Sequence, residues 1–170
     1  MAELVGFEVL KIPKVYVVGK EIRHETSLMM QGDNPIPAFW SICFEENVFG
    51  ILEQQKDYLF NPDYVGLMCD YSKGDGEFSY IIGMIMKEGV IIPDGFRAYE
   101  IKPCDVAVSL IKGEETDVMM NAHRLSEENI KKIKRSNLNM EWFMEIYNCP
   151  RWTNPDSNGY RILDYYIPLD

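Results

Sequence analysis

Two prolines, each set inside an extended, β-branched segment, constrain this chain more than any other feature. The stretch FEVLKIPKVYVVGK (residues 7–20) returns as YEIKPCDVAVSLIK (residues 99–112), with a shorter interval before the proline. Phe7-Glu8-Val9 lies on Tyr99-Glu100-Ile101, Pro13 on Pro103, and Lys20-Glu21 finds its counterpart near Lys112-Gly113-Glu114. Val, Ile, Tyr and Phe at this density predict a strand, and a proline, which has no N–H for a ladder, predicts an irregularity within it.

The stretches downstream of these two segments are also alike. After the first comes a polar loop through Pro35 and Pro37, then a segment from Ala38 to Gln55 with Phe39 or Trp40, Cys43, Phe44, Val48, Ile51 and Leu52 at three- and four-residue spacing. That spacing predicts a helix with one apolar face. Tyr64–Cys69 and Phe78–Met86 flank the turn Ser72-Lys73-Gly74-Asp75-Gly76 and read as an antiparallel hairpin. After the second segment, Val118, Ala122, Leu125, Ile130 and Ile133 stripe a helix over Glu115–Ser136, which Ser126 could divide as a fresh N-cap. Trp142–Cys149 and Tyr160–Leu169 then flank Asn154-Pro155-Asp156-Ser157-Asn158-Gly159 as a second hairpin.

Strand, helix, strand, strand has thus occurred twice, in repeats of about residues 5–88 and 97–169 within one domain spanning 1–170. A period of about 85–90 residues with two copies is not a solenoid. The expected fold is α+β: two repeats about a pseudo-two-fold axis, a continuous antiparallel sheet with helices on one face, and a ligand cleft between the halves.

With 170 residues and 46% hydrophobic side chains, the chain has material for one well-formed core. Its formal charge of −10 opposes phosphate backbones, so direct nucleic-acid binding is not expected. The run Lys131, Lys132, Lys134, Arg135 is read as the solvated end of a helix. The cysteines Cys43, Cys69, Cys104 and Cys149 lie far apart in apolar stretches, with no CxxC pair and only His24 and His123 beside them. Buried thiols in a reducing cytoplasm are expected, with no metal site and no cofactor. Neither a signal peptide nor a membrane span is expected from the hydropathy pattern.

Glu145 is the candidate functional acid. In WFMEIYNC, period-two alternation puts Phe143, Glu145 and Tyr147 on one strand face. A carboxylate on the solvent side of a half-buried strand fits this pattern, and so does a buried one. If buried, it needs a cation or a positioned donor, since an unpaired carboxylate in an apolar site costs several kcal/mol. Rings around a bound cation add about 0.5–2 kcal/mol each. The same setting suits a general acid or base. Rings that could line such a site are Trp40, Tyr80, Phe143, Tyr147 and Tyr165 or Tyr166, with Met68 among the methionines adding soft surface. His123, with Glu127 four residues on, reads as common helix-surface chemistry. Gly74-Asp75-Gly76 lacks a helix after it, so it is a turn and not a phosphate loop.

The doubled pattern, the opening FEVLKIPKVYVVG, the helix start IPAFW (36–40), FMEIYNC and the closing YYIPL together resemble the GyrI-like family over roughly residues 5–169. This is the effector-binding domain of AraC-type and multidrug-sensing MerR-type regulators, also found as stand-alone proteins such as the gyrase inhibitory protein. The resemblance implies two pseudo-symmetric repeats that hold drug-like, often cationic compounds between them. It implies Glu145 as the central acid, Trp40 as the aromatic at the first helix start, and Tyr166 as the aromatic preceding the closing proline, Pro168. Some stand-alone members resemble hydrolases that act on cyclopropane-type electrophiles with the pocket carboxylate, which would make Glu145 catalytic. The segment NCPRWTNPDSNG departs from the pattern, and Trp152 within it would lid the site or pack on its rim. The expectation is therefore a stand-alone binding protein that senses or sequesters a small hydrophobic or cationic ligand. A detoxifying hydrolase, or an inhibitor acting on a protein partner such as gyrase, are the alternatives.

Overall fold

A computed structural model describes residues 1–136 and 141–170. Its strands are β1 (Glu3–Ile12), β2 (Val15–Glu25), β3 (Tyr64–Cys69), β4 (Glu77–Met86), β5 (Arg97–Ile101), β6 (Cys104–Gly113), β7 (Trp142–Tyr147) and β8 (Arg161–Leu169). Its helices are α1 (Thr26–Met30), α2 (Ile36–Glu45), α3 (Val48–Glu53) and α4 (Glu115–Lys132). The α+β class and the antiparallel pairing expected from the sequence are both found: every strand pair described is antiparallel.

Each proline ends a strand where the sequence predicted an irregularity within one. The chain forms two compact units, unit I from residues 1–13 and 103–170, unit II from residues 14–102. Pro13 and Pro103 therefore mark the passages between units. The extended segment 7–20 is not one strand: β1 pairs with β6 in unit I, while β2 pairs with β4 and β5 in unit II. Proline is suited to this place because it cannot donate to the ladder that must be left.

Unit I has the strand order β1-β6-β8-β7, with α4 packed on it. Val118, Ala122, Ser126 and Ile130 form the buried stripe of α4. Ser126 does not start a new helix; its hydroxyl donates to the Ala122 carbonyl at 2.7 Å inside one continuous helix. Glu115 and Asp117 in the first turn and Lys131 and Lys132 in the last complement the helix dipole.

Unit II has the order β5-β2-β4-β3. The predicted helix over 38–55 is two, because Asn47 adopts a left-handed φ of 56° between α2 and α3. Phe39, Cys43, Val48, Phe49 and Leu52 from these helices pack on Val18, Phe78, Tyr80, Ile82, Met84 and Met86. At Gly19 and Gly83, opposite each other in β2 and β4, the backbones approach closely. A Cβ at Gly83 would stand 1.8 Å from the Val18 carbonyl oxygen, and one at Gly19 would stand 2.0 Å from that of Ile82. Only glycine fits there.

Cys43 and Cys69 are buried as expected, and burial raises their thiols to about 11 and about 12 respectively. Cys104 is half-buried and Cys149 is exposed, contrary to the expectation of four buried thiols. Cys149 lies just past the end of β7, in the long hairpin connection, so no layer covers it.

Candidate active site in unit I

The site is built on a ladder of directly opposed residues: Phe7 on β1, Ser109 on β6, Tyr165 on β8 and Glu145 on β7. Opposed residues in an antiparallel pair share a face. That face is the one α4 covers, because the His123 ring of α4 meets Phe143 edge-on at 4.4 Å and Tyr165 at 5.8 Å. Glu145 is buried at 8% exposure and Tyr165 at 5%, which removes the alternative of a solvent-facing glutamate.

Glu145 accepts a hydrogen bond from the Tyr147 hydroxyl, two residues along the same strand face. A donor of this kind stabilises the ionised form of a carboxylate removed from water. Tyr147 is braced in turn by Trp152, whose ring meets it edge-on at 5.2 Å. Trp152 sits in the connection from β7 to β8, where its backbone N–H donates to the Asn148 carbonyl at 2.7 Å and its carbonyl accepts from Arg161 at 2.6 Å. The Arg161 guanidinium lies 5.6 Å from the Trp152 ring centroid. Trp152 thus packs against Tyr147, the tyrosine that donates to Glu145.

On the other face, Asp164 is 4% exposed and bound by Arg151 through Nε at 3.0 Å and Nη2 at 2.5 Å. This fork anchors the long connection to β8. Tyr166 alternates with Tyr165 and so belongs to this opposite face, opposed to Met144 and Val108. The aromatic that stands against Glu145 is Tyr165. The residues alone allowed either ring and the family resemblance pointed to Tyr166; choosing between them needed the β7–β8 register, since a one-residue slip exchanges the faces.

Two residues that sequence reasoning set aside belong to the same cluster. His123 Nδ1 lies 3.1 Å from the Tyr165 hydroxyl, and Nε2 lies 3.4 Å from the Glu127 carboxylate one helical turn on. Burial lowers the His123 pKa below its ordinary value near 6.5, against the opposing pull of Glu127. The signal in the sequence was the His–Glu spacing of four, which by itself is ordinary on helix surfaces.

The remaining candidates lie in unit II. Trp40 on α2 donates its indole N–H to the Tyr80 hydroxyl at 3.2 Å, and Tyr80 is 1% exposed. Met68 stands opposite Tyr80 across β3 and β4. Trp40 also stacks on Phe49, which stacks at 3.7 Å on Tyr64, and the Tyr64 hydroxyl donates to Glu53 at 2.9 Å. These residues form an aromatic cluster of unit II, with Tyr80 in its core.

No curated protein matches the chain. Solved structures do. SAV2435 bound to tetraphenylphosphonium superposes with a TM-score of 0.69 at 15% identity, covering 98% of this chain and 94% of that one. A protein from Staphylococcus aureus MU50 described as a bacterial transcription regulation protein gives 0.68 at 16% identity, covering 97% and 98%. A hydrolase encoded by lin2189 from Listeria innocua gives 0.53 at 10% identity, covering 96% and 91%. At these identities the likeness is one of fold. The family of GyrI-like small molecule binding domains matches residues 7–170, and the chain belongs to that family.

Proposed function

We propose that this protein binds small lipophilic cations, with Glu145 as the countercharge and Phe143, Tyr147 and Tyr165 as the rings beside it, in a sensing or sequestering role. The observation that carries this reading is the burial of Glu145 on a strand face whose neighbouring side chains are aromatic. A buried carboxylate is a favourable partner for a cation, and a delocalised cation loses little hydration on entering. Ring faces add attraction without requiring a directed hydrogen bond, so shape and charge select the guest. The relative bound to tetraphenylphosphonium makes that ion the natural probe.

The charge requirement can be separated from shape. Tetraphenylphosphonium and tetraphenylborate have nearly the same size and opposite charge. Calorimetric titration should give binding of the phosphonium at least about a hundredfold tighter than the borate, a difference of about 2.7 kcal/mol. Equal affinities would remove Glu145 as the countercharge.

A hydrolase is the second reading, favoured by the pairing of a buried carboxylate with a tyrosine hydroxyl held by histidine, an arrangement suited to acid–base work. Turnover of a cyclopropane-type electrophile that is lost in Glu145→Gln would support it. Equal turnover by both proteins would exclude it.

A further inference from the structure

We infer that Glu127, His123 and Tyr165 form a proton relay that sets the charge facing the Glu145 site, making cation binding there dependent on the protonation of His123. This rests on the reading of unit I as a cation site and adds to it the two positioning residues, His123 and Glu127.

The geometry assigns the protons. Glu127 lies 3.4 Å from Nε2 and is an acceptor, so the neutral imidazole carries its proton on Nε2. Nδ1 then has a lone pair at 3.1 Å from the Tyr165 oxygen and accepts the phenolic proton. In this state Tyr165 directs its hydrogen at the helix and keeps its oxygen lone pairs and its ring electron-rich toward the row that contains Glu145. Protonating His123 reverses the bond. Nδ1–H donates to the Tyr165 oxygen, the phenolic hydrogen must turn away from the helix, and a positive charge appears beside Phe143 and Tyr165. Both changes oppose a bound cation.

Glu127 on its own helix and Tyr165 on β8 meet the two His123 ring nitrogens; Glu145, hydrogen-bonded by Tyr147, is the residue opposite Tyr165 on β7. β6 contributes only the uncharged Ser109 to the row, buried and with no hydrogen-bond partner for its hydroxyl. The desolvation that lowers the His123 pKa keeps the ring neutral, hence binding-competent, at neutral pH.

By reciprocity, a ligand that disfavours protonated His123 must lower the His123 pKa by the same factor by which acid weakens its binding. The chain has two histidines, so the His123 imidazole signals can be followed by NMR and assigned with a His123→Gln variant. Tetraphenylphosphonium is permanently charged, so the probe itself does not titrate. Its affinity for the wild-type protein should fall progressively as pH drops from about 8 to about 5.5, the loss appearing only below about pH 6.5. Adding it should move the His123 titration down correspondingly. His123→Gln should bind with little change over that range, and Tyr165→Phe, which keeps the ring and removes the oxygen, should uncouple the His123 titration from the ligand.

A wild-type pH dependence retained in His123→Gln, or a His123 titration indifferent to ligand, would overturn the relay while leaving the cation site intact. If the wild-type protein does not bind the phosphonium at about pH 8 either, the cation site and the relay fall together. Preserved ligand coupling in Tyr165→Phe would remove Tyr165 as the link.

Discussion

Glu145 on β7 and Tyr165 on β8 stand directly opposite each other in an antiparallel pair, on the face that α4 covers. The pairing places a buried carboxylate and a histidine-bound phenol side by side, and it organises everything else in unit I. Tyr147 donates to the carboxylate, Trp152 braces Tyr147, and Arg161 holds Trp152.

On the proposed reading the Tyr147 hydroxyl belongs to the site and not only to the core. Tyr147→Phe should leave the protein folded and weaken tetraphenylphosphonium binding by about tenfold, the effect of losing a hydrogen bond to a charged group worth about 1.5–3 kcal/mol. Calorimetric titration checks this. A wild-type affinity in Tyr147→Phe would mean that the hydroxyl has no part in holding the carboxylate.

In unit II the Gly19–Gly83 crossing sets a steric limit. Gly83→Ala drives a methyl into the Val18 carbonyl, which is backbone and cannot turn aside. Urea denaturation should show a loss of at least about 2 kcal/mol, at the upper end of ordinary overpacking. A loss under about 0.5 kcal/mol, as for a typical surface substitution, would contradict the close approach.

Thiol chemistry should separate the four cysteines. Burial has raised Cys43 to about 11 and Cys69 to about 12, so neither supplies appreciable thiolate at neutral pH. Cys149 is exposed and should react first with a disulfide reagent, with Cys104 slower and the buried pair reacting only on unfolding. Mass spectrometry of partly labelled protein gives the order. Early labelling of Cys69 would contradict its place in the core.

Stability should fall in mild acid through His123. Its pKa is lowered in the folded state, so as pH drops below about 6.5 the unfolded chain takes up a proton before the folded chain does. The imidazole thus destabilises the fold progressively from that point down to its own folded pKa, below which the loss is constant. Urea midpoints compared across this window should decline more steeply for the wild-type protein than for His123→Gln. Parallel declines would assign the acid sensitivity elsewhere.

Much of this was legible in the sequence, for identifiable reasons. Tyr64–Cys69 was read as a strand with the bounds of β3, because an apolar run beside a Gly/Asp-rich turn has few alternatives. Period-two spacing put Phe143, Glu145 and Tyr147 on one face, and so did the fold. The exchange of strands at Pro13 and Pro103 was not legible, since a proline marks a break without saying where the chain goes next. Asn47 was read through as helix because its left-handed φ depends on the packing of α2 and α3. The resemblance favoured Tyr166, and only the β7–β8 register shows that Tyr165 is the ring opposite Glu145. His123 was passed over because the partner that gives it meaning, Tyr165, lies in another strand far along the chain.

The central claim is that Glu145 is the countercharge for a bound cation. It is tested most directly by titrating tetraphenylphosphonium into wild-type and Glu145→Gln proteins of matched circular dichroism. The substitution keeps shape and hydrogen bonding and removes the charge. A loss of more than about tenfold, or about 1.4 kcal/mol, is the result predicted. An unchanged affinity in Glu145→Gln would contradict it.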